Sequence, residues 1–329
     1  MHDRSLHRRS FSTLALVGWL ASIGRAAAQP AGYPNKPVRL VVAYPPGGPV
    51  DIVARSLGEQ LSRSLGQTVL VDNRAGAGGV IGSDAVAKAA PDGYTLLLGS
   101  TPLAIQETLN TKLPYSALRD FTPIAKLAEG PQVLLVSSAV PARTAREFIE
   151  YAKAQGGKLS YASPSSGGSN HLATELFNTR AGIRALHVPF NGNGPAEIAL
   201  LGGHVDFMFS SLASSLPQVE SGRLRALGVT SKQRFANLPD IPAIAETLPG
   251  FEVTSWFGVL GPAKMPSGVI DRLNSEINRA IEQPDMKRRL GALYLEPTPG
   301  SAAQFGEFLR QNTALWGKVI KESGTPLEN

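Results

Sequence analysis

The sequence predicts an α/β fold of two lobes, each a mostly parallel sheet flanked by helices. Three observations lead there: from Val38 onward short apolar runs alternate with longer stretches of helical periodicity, glycine-rich turns join several runs to the helix that follows, and two Pro/Gly crossings divide the chain. The first strand is Val38 to Ala43. A helix opens at Ile52, its apolar positions Val53, Leu57, Leu61 and Leu65 recur at helical spacing, and Gly66 stands where a C′ glycine ends the last turn. Further strands are expected at Val69 to Asp72, Thr95 to Gly99, Val133 to Ser137, Leu159 to Ala162, Ala185 to Pro189, Val205 to Ser210 and Leu224 to Thr230, with helices in the gaps. The crossings lie at Ala128-Glu129-Gly130-Pro131 and at Leu248-Pro249-Gly250, the second leading into the apolar run Phe251 to Leu260. Beyond it stand helices over Ser267 to Ile281, Asp285 to Leu293 and Ser301 to Ser323, with a strand-like Tyr294-Leu295 between them, too little for a separate domain. The chain is therefore expected to return to its first lobe: residues 29–130 with 255–329 form one lobe and residues 131–254 an inserted second, joined by paired crossings where hinge motion can be absorbed.

Residues 1–28 are set apart from the fold. Arg4, Arg8 and Arg9 precede the apolar run Thr13 to Ile23 and then Ala26-Ala27-Ala28, the layout of a secretory signal. The run is shorter than the ~20 residues needed to cross a bilayer, and no later segment is longer, so a soluble exported chain without stable membrane insertion is expected. Arg8-Arg9-Ser10-Phe11 resembles part of a twin-arginine signal, with His7 before the pair and no Lys after it; the Sec and twin-arginine routes both fit. The signal carries half of the net charge of +6. The remaining Lys and Arg are scattered, and Lys287-Arg288-Arg289 reads as a solvated helix face, so nucleic acid is not an expected partner. The 329 residues contain no cysteine, which removes disulfides and thiolate chemistry and leaves stability to ordinary hydrophobic cores.

The chemistry is expected at the carboxyl ends of the strands. After the first strand comes Tyr44-Pro45-Pro46-Gly47-Gly48-Pro49-Val50-Asp51, in which prolines fix the loop, glycines leave backbone N–H groups open, and Asp51 stands at the N-cap position of the helix opening at Ile52. Such a turn can simply connect strand to helix. As an anion cradle it would seat the ligand against Pro46-Gly47-Gly48, to the side of the Asp51 carboxylate. Ser163 to Asn170, with Ser165, Ser166 and Ser169 around Gly167 and Gly168, repeats the design after a later strand and carries more donors than capping requires. His171, with no ligand partner at metal spacing, is expected to make a structural hydrogen bond. A third cluster, Arg74 to Gly82, fails the dinucleotide fingerprint because Ile81 stands where glycine is needed, although its amides could still reach the cleft. Phe190, Asn191 and Gly192 close another strand edge and are candidate cleft residues. G-x-S-x-G is missing around every Ser of the second loop, and carboxylates at strand ends are scarce, Asp51 and Asp206 being the nearest candidates, so nothing in the sequence asks for catalysis, and no cofactor or metal is expected.

Four segments carry a family resemblance: Val41 to Arg55, Val71 to Gly99, Leu113 to Ile124 and Gly222 to Glu246. Together they resemble the Bug family, the substrate-binding proteins of tripartite tricarboxylate transporters, over essentially all of Tyr33 to Pro326. The resemblance implies a periplasmic, Venus-flytrap α/β receptor, expected to be a monomer, that closes on a small organic carboxylate and presents it to membrane permease subunits. It also implies that one carboxylate is pinched between Tyr44 to Gly48 and Ser165 to Asn170, with Ser100, Thr101 and Phe190 to Gly192 as further cleft positions. Two residues depart from the family pattern: Asn191 stands where Lys is common, and Ser210 where Asp is frequent. Two other classes fit the same residues, a periplasmic sensor docking on a signalling partner and an exported α/β enzyme acting on a carboxylate.

Overall fold

The computed structural model describes residues 32–328; the expected export signal, residues 1–28, lies outside the described residues. In chain order the elements are β1 (Val38–Val42), α1 (Pro49–Leu65), β2 (Val69–Asn73), α2 (Val80–Ala87), β3 (Thr95–Ser100), α3 (Thr101–Leu109), β4 (Phe121–Val136), α4 (Ala145–Ala154), β5 (Ser160–Ser163) and α5 (Ser169–Ala181). They continue with β6 (Leu186–Pro189), α6 (Asn193–Leu201), β7 (Phe207–Ser211), α7 (Leu212–Glu220), β8 (Arg225–Val229), β9 (Thr254–Pro262), α8 (Ser267–Glu282), α9 (Pro284–Gly291), β10 (Glu296–Pro297) and α10 (Ala302–Ser323).

The α/β reading holds, and the early elements show why. β1 is buried at every position except Arg39, as a parallel strand covered on both faces requires. Helix α1 buries Val53, Ala54, Leu57, Leu61 and Leu65 on one face, and Gly66 ends it in the left-handed conformation at φ 67°. β1 pairs in parallel with β2 and β3, and β5 pairs in parallel with β6 and β7. The sheet as a whole is mixed rather than mostly parallel, because β4 and β9 run against their neighbours. One carries the chain out of the first group of strands and the other brings it back, so the two must point in opposite directions. The crossing at Gly130-Pro131 is itself strand: β4 runs unbroken through it, its first part pairing with β9 and its last five residues with β7 and β8. The short strand expected at Tyr294-Leu295 falls two residues later, as β10 against Ala128 and Glu129.

A connected core runs through both groups of strands. Phe148, Phe177, Phe207, Phe209 and Phe251 pack together around β7, and Trp256, Phe305 and Trp316 continue the core around β9 and α10. Gly258 lets the Phe305 ring press directly onto β9. Both indole N–H groups are satisfied, since Trp256 Nε1 and Trp316 Nε1 donate to Asn312 Oδ1 at 2.8 and 3.1 Å. Among the described residues no helix is long and apolar enough to cross a membrane.

Candidate functional site

Two strand-to-helix turns share one construction. After β1 the chain turns through Tyr44 to Gly48, and α1 begins at Pro49 with Gly48 as its N-cap; after β5 it turns through Pro164 to Gly168, and α5 begins at Ser169 with Gly168 as its N-cap. No side chain caps either helix, so the first amide groups of both remain directed outward with the positive end of the dipole. Gly47 at φ 86° and Gly167 at φ 67° supply the left-handed residue that each turn requires. Pro46, Gly47, Ser165 and Ser166 are exposed, while Gly48, Gly168, Ser169 and Asn170 are partly buried.

Asp51 is not the N-cap. Pro49, with no N–H to satisfy, starts the helix earlier than the apolar periodicity indicates and leaves Asp51 inside the first turn. Its side chain turns inward and is 3 % exposed, accepting from Gly47 N at 2.9 Å, Arg55 Nε at 2.9 Å and Asn73 Nδ2 at 2.9 Å. Burial alone would raise its pKa, but the hydrogen bonds from Arg55, Gly47 and Asn73, with the Arg55 charge, outweigh burial and hold it at about 2. Asp51 therefore ties the Gly47 amide to β2 through Asn73, which also donates to Tyr44 O at 3.1 Å.

The third glycine cluster supports this turn by close approach. A Cβ on Gly82 would lie 2.8 Å from Ala43 Cα, and one on Gly79 would lie 3.0 Å from Tyr44 Oη. Tyr44 is partly exposed, yet its hydroxyl end is deep: burial raises the phenol pKa and the nearby Ser100 side chain draws it partly back. Ser100 is the N-cap of α3, again without a side-chain cap, and its buried Oγ makes no hydrogen bond of ordinary geometry. Thr101 is already committed, since its Oγ1 accepts from Trp256 N at 3.1 Å.

The second turn is braced from below by two histidines. Gly167 N donates to His171 Nδ1 at 3.0 Å, so His171 has the structural bond that its sequence context predicted. Its ring stacks on His187 with centroids 3.9 Å apart, and His187 Nε2 lies 2.7 Å from Ser163 Oγ, whose proton goes to Ser165 O at 2.8 Å. Burial, and then the neighbouring His187, lower the His171 pKa to about 4, so the pair is neutral at ordinary pH. Phe190 N donates to Ser163 O at 2.9 Å and Gly192 N to Pro164 O at 2.8 Å, lacing Phe190, Asn191 and Gly192 to the same turn. Asn191 is exposed.

Ser210 lies at the end of β7 with its side chain turned into a buried cluster. Its Oγ donates to Glu197 Oε1 at 2.9 Å, the same oxygen that accepts from Ser214, Ser215 and Asn193. The structure thus gathers Tyr44 to Gly48, Ser100 and Gly79 at one strand edge, and Ser163 to Asn170 with Phe190 to Gly192 at another. The second turn also touches α3, where Gly167 lies against Leu109, and the Glu328 side chain. Gln132 and His187 escaped the sequence reading, although Gln132 is visibly a polar residue at the head of the apolar run Val133 to Val136.

Comparison with known proteins identifies the family. A model of the tripartite tricarboxylate transporter family receptor matches residues 53–325. Protein BugT of Bordetella pertussis is 38% identical over 96% of this chain and 98% of its own length. Among solved structures, R. palustris Rpa4515 with adipate is 33% identical with a TM-score of 0.78, covering 90% of this chain and 100% of that one. MatC from Rhodopseudomonas palustris with bound malate is 32% identical with a TM-score of 0.73, covering 88% and 100%. The shared fold is that of two-lobed periplasmic binding proteins, and the chain belongs to the tripartite tricarboxylate transporter receptor family.

Proposed function

We propose that this receptor binds a small organic carboxylate between its two glycine-bearing turns and, once closed, presents it to the membrane permease subunits of a tripartite transporter. The observation that carries the reading is the pair of helices α1 and α5, each entered through a glycine N-cap with no side chain over its amides. A carboxylate placed there accepts from several backbone N–H groups and from the hydroxyls of Ser165, Ser166 and Ser169, so its desolvation is offset by many dipoles rather than by one buried cation. Tyr44, Pro46, Gly47, Gly48, Ser100 and Thr101 form the first-lobe wall, while Gly168, Asn170, Phe190, Asn191 and Gly192 extend the second. Asp51 and Ser210 act from behind, the first by fixing Gly47 and the second through the Glu197 cluster. Residues 29–130 with 255–329 are assigned to one lobe and 131–254 to the other, and residues 1–28 to the export signal that directs the chain to the periplasm.

Adipate and malate, bound by the two structural relatives, are the natural first probes. Native mass spectrometry of the purified protein, followed by unfolding, refolding and thermal-shift screening with these and other small acids, tests the reading. A bound organic acid, and a rise in melting temperature on adding it back, is the expected result. Absence of both across mono-, di- and tricarboxylates at millimolar concentration would sink the ligand assignment.

A further inference from the structure

We infer that Gln132 reads the bound solute directly, its Nε2–H donating to a carboxylate oxygen at the start of α5. The assignment rests on the carboxylate reading above and adds a residue to it. Gln132 is the first residue of β4 to pair with β7, and its register partner there is Ser211. Even-numbered neighbours Leu134 and Val136 lie in the core beneath α5, so Gln132 occupies the α5 face of the sheet, at the edge where that helix begins.

Its orientation follows from a chain of hydrogen bonds. The carbonyl of Phe209 can only accept, so the side-chain nitrogen of Asn170 must face it, at 3.1 Å. That same Nδ2 reaches Gln132 Oε1 at 3.3 Å, which fixes the Gln132 oxygen toward Asn170 and its nitrogen away. Backbone pairing does not absorb the nitrogen either, because Gln132 N donates to Thr230 Oγ1 at 2.8 Å and Gln132 O accepts from Thr230 N at 2.9 Å. Nε2 is left as a buried donor without a partner on a residue 1 % exposed. A buried donor left unmet is costly, and here it belongs to a side chain whose oxygen touches Asn170 in the first turn of α5, a helix with no side-chain cap. Donors of this kind select an acceptor, and the positive end of the helix dipole selects a negative one. A carboxylate oxygen satisfies both demands, whereas an ammonium satisfies neither.

Gln132→Met keeps length and volume while removing the donor, and Gln132→Glu keeps the shape while replacing the donor by an oxygen. Isothermal titration with malate and adipate at pH 8 is expected to show binding by the native receptor, and a loss of about ten- to hundred-fold in Gln132→Met, the range for one hydrogen bond to a charged group. Gln132→Glu should bind still more weakly at pH 8 and recover part of the loss at pH 6, where a glutamic acid facing a carboxylate takes up a proton and becomes a donor; the native receptor should show no such recovery. A merely structural role would not produce that pH-dependent rescue. If the native receptor binds either acid and Gln132→Met binds it within about two-fold, or if Gln132→Glu matches the native receptor at pH 8, the assignment of Gln132 is overturned and the receptor reading stands. If the native receptor binds neither acid, the carboxylate reading falls and takes this assignment with it.

Discussion

Acidification should loosen the second turn, and the buried pair His171 and His187 sets the interval. His171 is 5 % exposed, and its pKa falls from 6.5 to about 4 through burial first and the His187 ring second. His187 is lowered in the same sense by burial. A histidine whose folded pKa is depressed favours the native state fully above the unfolded value and loses that advantage as pH falls toward the folded value. The window therefore opens near pH 6.5 and closes near pH 4. At pH 4.5 the His171 contribution alone amounts to about 2.5 kcal/mol, or about 4 °C in melting temperature for a chain of this size. Other charges face the pair. Glu175, held against the Tyr161 hydroxyl, has a pKa raised chiefly by burial, so its handicap lifts over acid pH and works against the histidines. The Glu328 carboxylate lies near Gly167. The decisive comparison is hence between the native chain and His171→Asn, whose Oδ1 can still accept from Gly167 N without titrating in this range. Melting curves from pH 7 to 4.5 should fall more steeply for the native chain, by about 4 °C over the interval. Parallel curves for the two proteins would refute the argument. Asp51 belongs to a lower interval, since its stabilisation is present above pH 3.8 and is lost toward about 2.

Other perturbations separate ligand contacts from packing. Gly48→Val should leave the melting temperature within about 2 °C of native, because an added Cβ meets nothing closer than Pro45 O at 4.0 Å and the extended backbone suits a residue before proline; calorimetric titration with malate or adipate should show at least about ten-fold weaker binding. Ser169→Val should behave alike, since Ser169 caps nothing, and full affinity in both variants would move the site elsewhere. Gly258→Ala should cost about 1 to 3 kcal/mol in urea unfolding, because the new methyl group would enter the Phe305 ring. Ser210→Ala removes one donor from the buried Glu197 oxygen and should cost about 1 to 2 kcal/mol by the same assay, and an unchanged midpoint would show that Ser214, Ser215 and Asn193 suffice.

Features encoded by neighbouring residues were legible in the sequence. The Val38 run, the periodicity of Val53 to Leu65 with Gly66 after it, and the glycine turns before α1 and α5 stand in the structure within a few residues of where local patterns place them. Features that depend on strand register were not. His187 meets His171 because β6 pairs with β5, setting His187 opposite Tyr161 on the strand that leads into α5. Ser210 stands at a strand end where the family often has Asp, yet Glu197 on α6, which no local pattern ties to it, draws its hydroxyl inward. Asp51 reads as a cap because the apolar periodicity begins at Ile52, whereas the fixed φ of Pro49 already starts the helix. The crossing at Gly130-Pro131 lies within β4, where Pro131 sits opposite Thr254 at the end of the ladder with β9.

That unbroken β4 governs how the protein can come apart. One backbone supplies hydrogen bonds to β9 along one stretch and to β7 and β8 along the next, so the two groups of strands are joined through a continuous strand. Excising residues 131–254 would sever β4 between the stretch that pairs with β9 and the stretch that pairs with β7 and β8, removing the strand that joins the two groups. The receptor should accordingly denature in a single cooperative transition, and an engineer wishing to transplant its binding surface must carry both crossing strands along.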